Sequence, residues 1–462
     1  MGVNESSLTV VGAMHTWSEA TDRLAASVMR YANDLMRNPK DPRWGQRSAD
    51  ELGAALASAV SDQGVGGHEA LRLFREVIIP SCRPMDDPMN LAYVPTAPSN
   101  AAAMFDLVVS SASIFGGAWE GGAGAIAAEN QALRWLADLA GLPASAGGVF
   151  VSGGSAANLS ALVTARAEHQ RIHGRPDRFT VAATSEVHAS VRAAARVMDI
   201  DVLLVQADEL GRMTGAALDE VLSTHDRPGV FAVVATAGTT NAGAIDELDA
   251  IADVCARYGL WLHVDGAYGL AALCSPTGRE RLRGIERVDS FGVDPHKWLF
   301  APYDCAALLY RDPAPAAAVH AQHGDYLDGV DRGEWNPADY AYHLSRRARG
   351  LPLWFSLATY GANAYAEAID ATLAVARGFA DDIASRPNLR LLLEPELSVV
   401  LFTRDGWTRE QYLHWSDRHA RAGTVLIVPT SWQGEPCLRA CFVHPRTQLA
   451  ALSPILDDLA AS

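Results

Sequence analysis

The hydrophobic positions of this 462-residue chain change their spacing along its length. Over residues 15–80 the stretches "ATDRLAASVMRYANDLMR", "SADELGAALASAVSD" and "GHEALRLFREVII" bring apolar residues round every three or four positions, which predicts a helical arm with polar, Gly-containing connections. From about 100 to 315 the apolar residues run together instead, in "GGVFVSGGS", "RFTVAATSE", "DVLLVQAD", "GVFAVVATAGTT", "LWLHVDGAYG", "SFGVDPHKW" and "CAALLYRD", alternating with helical patterns. A strand that is apolar throughout must be covered on both faces, so the pattern predicts an α/β fold around a mainly parallel sheet. The runs end in Gly, Ser, Thr or Asp, and in such sheets ligands gather beyond the carboxyl ends of the strands.

After "SRRARGLPLWF" a long helical pattern leads into "LSVVLFTRD", "QYLHWSDRHARAG", "TVLIVPT" and "CLRACFVH", which predicts a small C-terminal α+β domain. The expected organisation is a helical arm at 1–85, a large domain at 86–347 and a small domain at 348–462. The polar segment "AQHGDYLDGVDRGEWNPADYAYH" keeps no sustained period, and its length suits a functional loop.

Composition narrows the partners. With 49% hydrophobic and 20% charged residues the chain can bury a full core, while a formal net charge of -16 opposes binding to nucleic acid or anionic lipid and favours a small-molecule ligand. No apolar run reaches the roughly 18 residues a spanning helix needs, and the N-terminus lacks a basic, apolar leader. A cytoplasmic protein without membrane association is expected. Cys82, Cys255, Cys274, Cys305, Cys437 and Cys441 are scattered, with no CxxC pair and no metal spacing, so they read as buried reduced thiols and no metal is expected.

Against this background one side chain stands out. Lysine and arginine total 38, yet only Lys40 and Lys297 are lysines. Arginine serves solvation and ion pairing equally well but cannot act as an amine nucleophile, so Lys297, in "DPHKWLF", reads as kept for its nitrogen. Three further features lie at strand ends. "VSGGSAANLSALVTAR" reads as strand, Gly-Gly-Ser turn and helix, a phosphate cradle in which helix-start N–H groups and the Ser155 hydroxyl bind an anion. Asp265 emerges from an apolar strand, where its charge needs a partner such as a pyridinium N–H. His188 falls between a strand and a helix, where an imidazole can lie flat on a ring. Alone, each has a plain alternative: a tight connection, a cap on a strand-end turn, a satisfied loop histidine.

Together, and in this order, the motifs "GGS", "VHASV", "ATAGTT", "HVDGAYG", "DPHKWL" with "YDC" after it, and "SRRARGLPLWF" resemble the group II pyridoxal-phosphate-dependent amino acid decarboxylases, which include the aromatic L-amino acid and glutamate decarboxylases. The resemblance runs from "AYVPTAPSN" to "LRACFVHPRT" and implies the type I fold of pyridoxal-phosphate enzymes. It also implies pyridoxal 5'-phosphate (PLP) as cofactor and a homodimer with sites between subunits, the helical arm wrapping the partner. Carried over by position, it implies that Lys297 holds the cofactor covalently, Asp265 pairs with the pyridine nitrogen, His188 stacks on the ring and Ala267 packs its other face. Gly154, Ser155 and His296 would hold the phosphate, and Thr236 with Asp246 would support the ring hydroxyl and the nitrogen side. Tyr326, in "GDYLDG", would protonate the substrate carbon after carbon dioxide leaves; related aldehyde synthases commonly carry phenylalanine there.

Four departures from the family pattern are visible: Gly266 for the first Ala of D-A-A-Y, Asp294 for the usual Asn before Pro-His-Lys, Gly154 where some members have Ala, and the glycines of "SIFGGAWEGGAGA" where bulky walls are common. Tyr93, Pro95, Thr96, Phe115, Trp119 and Tyr303 are candidates for an apolar substrate pocket, or equally ordinary core. An aromatic amino acid is the favoured substrate, against acidic, aliphatic or specialised ones. A different class also fits part of the sequence: Ser155, Asp265 and His296 occur in the order of an α/β-hydrolase triad, a reading that leaves Lys297 unexplained.

Overall fold

The computed structural model describes residues 14–38, 40–43, 45–95, 97–224, 229–322 and 333–462. Two of the expected site residues, Thr96 and Tyr326, lie outside the described residues. The chain divides into two units, Met1–Asp87 with Asp417–Val425, and Pro88–Ser416 with Leu426–Ser462.

The first unit carries helices α1 (Glu19–Arg37), α2 (Ala49–Leu56) and α3 (Gly67–Leu73). Ser18 with Thr21 and Ser48 with Glu51 form capping boxes that satisfy the first N–H groups of α1 and α2. The third helical pattern does not run on to residue 79. It widens into a π turn over Phe74–Ile78 and closes in a 3-10 turn, Ile79–Ser81, at Pro80, whose missing N–H cannot continue the ladder. Neither α1 nor α2 has a buried residue, although α1 is amphipathic. Cys82 follows the last turn and is exposed, unlike the other five cysteines and contrary to the expectation of buried thiols; all six are free.

The second unit is built on seven strands: β1 (Gly147–Val151), β2 (Thr180–Ala183), β3 (Asp201–Leu204), β4 (Val230–Thr236), β5 (Trp261–Asp265), β6 (Ser290–Val293) and β7 (Ala306–Tyr310), in the order β1-β7-β6-β5-β4-β2-β3. Each of the seven apolar runs picked out in the sequence supplies one strand. β3, β2, β4, β5 and β6 are mutually parallel. β7 is antiparallel to β6 and β1 antiparallel to β7, so β1 points the same way as β6 and the turn after it lies on the same edge as the carboxyl ends of β4, β5 and β6. Both faces are covered, as the unbroken apolar runs require: in β4, Val233 and Ala235 join one core cluster while Phe231 and Val234 join another.

Helices α4 (Asn100–Ala112), α5 (Trp119–Leu139), α6 (Gly154–His173) and α7 (Ala189–Met198) belong to this unit. So does the long helix α8 (Leu351–Ala384), which bends at Gly361, where φ of +77° suits glycine. A four-stranded antiparallel sheet follows, β8 (Leu389–Leu391), β9 (Val399–Arg404), β10 (Val428–Trp432) and β11 (Glu435–Cys441), in the order β10-β11-β9-β8. Of the polar segment 321–343, residues 333–343 are anchored: Trp335 stacks on Tyr340, and Asn336 accepts the Trp119 N–H at 2.9 Å. No helix among the described residues is long and apolar enough to cross a membrane.

Candidate active site

The strand ends carrying the candidate residues lie close together at one edge of the sheet. Asp265 closes β5, Thr236 closes β4 opposite it in the ladder, and the turn carrying Asp294, His296 and Lys297 follows β6. Lys297 is 19% exposed, so its amine remains reachable, and its Nζ sits 3.1 Å from Asp294 Oδ2. Trp298 anchors this turn by stacking on Tyr268 and donating its indole N–H to Thr372 at 3.0 Å. Gly153 is the N-cap of α6, so the Gly-Gly-Ser turn does open a helix. The Gly154 N–H donates to Asp294 Oδ2 at 3.2 Å, and the exposed Ser155 hydroxyl has no protein partner among the described residues.

Asp265 is buried and accepts hydrogen bonds from Asn158 Nδ2 at 2.8 Å and the Ala267 N–H at 3.2 Å. Asn158 was not singled out in the sequence, yet it is the hub of the site. Its amide also donates to Ser190 Oγ at 2.9 Å, and its oxygen lies 3.0 Å from His263 Nε2. One set of donors satisfies every member: Trp261 Nε1–H donates to Ser290 Oγ, Ser290 O–H to His263 Nδ1, His263 Nε2–H to Asn158 Oδ1, and Ser190 O–H to His188 Nδ1. This assignment needs a neutral His263, and burial indeed lowers its pKa against the opposing pull of Asp265. His188 caps α7 through the Ser190 N–H, so with Nδ1 accepting, its remaining proton is on Nε2.

His296 is buried, accepts the Cys305 N–H at Nδ1 and stacks on Tyr303 with ring centroids 4.7 Å apart. Burial lowers its pKa too. Asp246 is fully enclosed, and each carboxylate oxygen takes a backbone N–H, from Met213 at 2.6 Å and Thr236 at 2.7 Å. It therefore fixes Thr236 through the backbone and does not touch the Thr236 hydroxyl, and burial pushes its pKa up to about 7. The hydrolase reading fails here: among the described residues no hydrogen bond joins Ser155 to His296 or His296 to Asp265, whose partners are Cys305 and Asn158 instead.

Of the candidate pocket residues, Tyr93, Phe115 and Tyr303 are exposed and Pro95 and Trp119 half-buried. In the glycine-rich stretch Gly117 and Gly122 are tightly packed, while Gly124 has open space around it. A Cβ at Gly117 would lie 2.5 Å from Leu344 O and from the Phe115 ring, and one at Gly122 2.4 Å from Phe115 O, so these glycines make room for Phe115 and the chain at 344–348. Gly266 is explained similarly, since a Cβ there would meet Leu270 Cγ at 2.0 Å.

A family model described as the pyridoxal-dependent decarboxylase conserved domain matches residues 56–404. The chain belongs to the pyridoxal-dependent decarboxylase family. It is a PLP-dependent amino acid decarboxylase, and the type I fold expected from the motifs is the one observed. The aromatic-L-amino-acid decarboxylase of Bacillus atrophaeus is 30% identical over 89% of this chain and 89% of its own length. An L-2,4-diaminobutyrate decarboxylase from Rhizobium meliloti is 31% identical over 88% of this chain and 82% of its own. The crystal structure of Oryza sativa TDC with PLP and tryptamine superposes with a TM-score of 0.87 at 25% identity, covering 96% of this chain and 99% of that one.

The decarboxylase's residues fit the cofactor. Asp265 is a buried carboxylate without a cationic partner among the described residues, suited to a pyridinium N–H. Thr236 Oγ1 beside it is buried and lacks a hydrogen-bond partner, and a Cβ at Gly154 would come 3.2 Å from the Ala267 Cβ and from Asp294 Oδ2, so glycine leaves this helix start uncrowded.

Proposed function

We propose that this decarboxylase converts an aromatic L-amino acid to the corresponding amine and carbon dioxide. The observation that carries the aromatic assignment is a set of exposed aromatic side chains, Tyr93 at 42%, Phe115 at 41% and Tyr303 at 56%, the last stacked on His296 next to Lys297. The segments that hold them are tied together. Ser99 N–H donates to Phe300 O, Phe115 bridges to Arg347, and Arg349 pairs with Asp304. An acidic substrate needs an unspent cation, but Arg346, Arg347 and Arg349 are paired with Glu129, Asp106 and Asp304.

PLP, when bound, supplies the electron sink for the pair released from the bond between the α-carbon and the carboxylate. In this reading Lys297 would hold the cofactor through its amine. Asp265 keeps the ring nitrogen protonated, held in place by Asn158. His188, oriented by Ser190, would lie against one face of the ring and Ala267 against the other, while Gly154, Ser155 and His296 would hold the phosphate and Thr236 the ring hydroxyl. The carboxylate would leave as carbon dioxide, and the Tyr326 phenol would donate a proton to the α-carbon in its place, completing the amine.

We also propose a homodimer. Met104, Leu107 and Val108 leave an apolar stripe exposed on α4, and no residue of the amphipathic α1 is fully buried, both of which a second copy would cover. Sedimentation velocity reporting a monomer at micromolar concentration would remove this part.

The test is mass spectrometry of products after incubating the PLP-loaded protein with aromatic, acidic, basic and aliphatic L-amino acids. An amine lighter than an aromatic parent by carbon dioxide is expected. Decarboxylation of diaminobutyrate or glutamate in its place overturns the substrate class. An aldehyde overturns the role given to Tyr326, which Tyr326→Phe probes directly by lowering amine yield with cofactor binding intact.

A further inference from the structure

The side chain of Asp294 is 3% exposed, and it faces the two groups that the cofactor must engage. Its Oδ2 accepts the Gly154 N–H at 3.2 Å, the donor at the mouth of the anion cradle, and pairs with Lys297 Nζ at 3.1 Å. His296 Nε2 is 3.6 Å from the same oxygen. The other oxygen, Oδ1, is buried and has no hydrogen-bond partner among the described residues. A helix start is suited to one anion, and here the chain supplies that anion itself. A carboxylate buried with one oxygen unsatisfied is also poorly settled, because a lone acceptor removed from water carries its full desolvation cost.

Resting on the reading of Gly154, Ser155 and Lys297 as cofactor groups, we propose that Asp294 is an internal latch that competes with the cofactor at both ends. Its charge repels the phosphate from the Gly154 N–H, and its ion pair holds the Lys297 ammonium away from an aldehyde. An asparagine at this position would keep the acceptor for the Gly154 N–H but neither repel a phosphate nor pair with an ammonium. The aspartate therefore sets how firmly this chain retains its cofactor. Two unit charges a few ångströms apart in a partly buried site are worth orders of magnitude in an equilibrium constant, so the effect should be large enough to measure.

The experiment titrates cofactor-free full-length protein with PLP and, separately, with pyridoxal, which has the aldehyde but no phosphate. The readouts are the visible absorbance of the lysine-bound ligand and the quenching of tryptophan fluorescence. Asp294→Asn is expected to tighten both ligands, because Lys297 is released, and to tighten PLP by at least about tenfold more than pyridoxal, because only PLP meets the repulsion. Asp294→Ala, which removes the acceptor as well as the charge, is expected to show the same excess and guards against a folding effect peculiar to one variant. Unchanged or weaker PLP binding in both variants overturns the latch, and an equal gain for the two ligands overturns competition for the phosphate. If neither wild type nor variant acquires visible absorbance with either ligand, Lys297 does not hold the cofactor and the latch falls with that reading.

Discussion

Replacing Asn158 by alanine tests whether one amide holds the two residues proposed to grip the ring. Asn158 is 1% exposed and makes three hydrogen bonds, to Asp265, Ser190 and His263, at 2.8, 2.9 and 3.0 Å. A bond to an ionised group contributes about 1.5–3 kcal/mol and a neutral one about 1 kcal/mol, so the loss should be roughly 3.5–5 kcal/mol, with the three partners left buried and unsatisfied. Equilibrium urea unfolding of the cofactor-free protein measures it, read by both far-UV circular dichroism and tryptophan fluorescence so that coincident transitions establish a common reference. A double-mutant cycle with Ser290→Ala sharpens the test. Both changes strip a partner from His263, so their effects should depart from additivity by about 1 kcal/mol or more. A destabilisation under about 1 kcal/mol, or strict additivity, would refute the directional chain from Trp261 to His188.

Four other outcomes follow from the same structure. Lys297→Arg keeps a cation against Asp294 and should fold normally, but it should lose the visible absorbance of bound cofactor. Lys40→Arg should change stability by less than about 1 kcal/mol, because the Lys40–Asp86 pair at 2.9 Å is partly exposed. The Glu129–Arg346 pair is buried at 2% and 0% exposure, with bonds of 2.8 and 2.9 Å, so Glu129→Gln or Arg346→Met alone should cost about 3–5 kcal/mol in urea unfolding, and both together less than the sum. Burial raises the Asp246 pKa from 3.8 to about 7 in the folded protein, so the unfolded chain binds fewer protons between these values and stability falls as pH rises from 4 to 7. Relative to Asp246→Asn, wild type should lose roughly 4 kcal/mol across that window, and a flat difference would contradict the shift.

The seven strands and the residues at their ends were legible because both are local signals: an apolar run marks a strand covered on two faces, and a polar residue at its end marks the ligand-binding edge. β8 was not, since three residues are too few to set a period. The glycines at 116–122 stood out in the sequence only as a departure from the family pattern, because a sequence does not say what packs against them, and here Phe115 and the backbone of Leu344 do. The network behind Asp265 was missed because Asn158, Ser190, His263 and Ser290 come from four separate segments and each is ordinary alone. Two periodicities could have exposed it. Asn158 follows Gly154 by four residues and so shares its helix face, and His263 precedes Asp265 by two and so shares its face of β5.

The two buried carboxylates at the carboxyl edge show why residue type alone could not rank them. Asp265 is held by neutral donors, an amide side chain and a backbone N–H, with an imidazole behind them that burial keeps neutral. Asp294, one turn from the lysine, is matched by that lysine's ammonium. The first arrangement orients a negative charge without cancelling it, which leaves Asp265 free to act on a cation brought by a ligand. The second cancels charge within the protein and so resists whatever would claim the lysine. An aspartate at a strand end is thus defined by whether its donors carry charge, and that depends on residues more than a hundred positions away in the chain, Asn158 and Gly154 above all. If the Asp294→Asn protein gained nothing in PLP affinity while Asn158→Ala lost it, the charge argument would fail for the latch and hold for the ring nitrogen, separating the two roles by experiment.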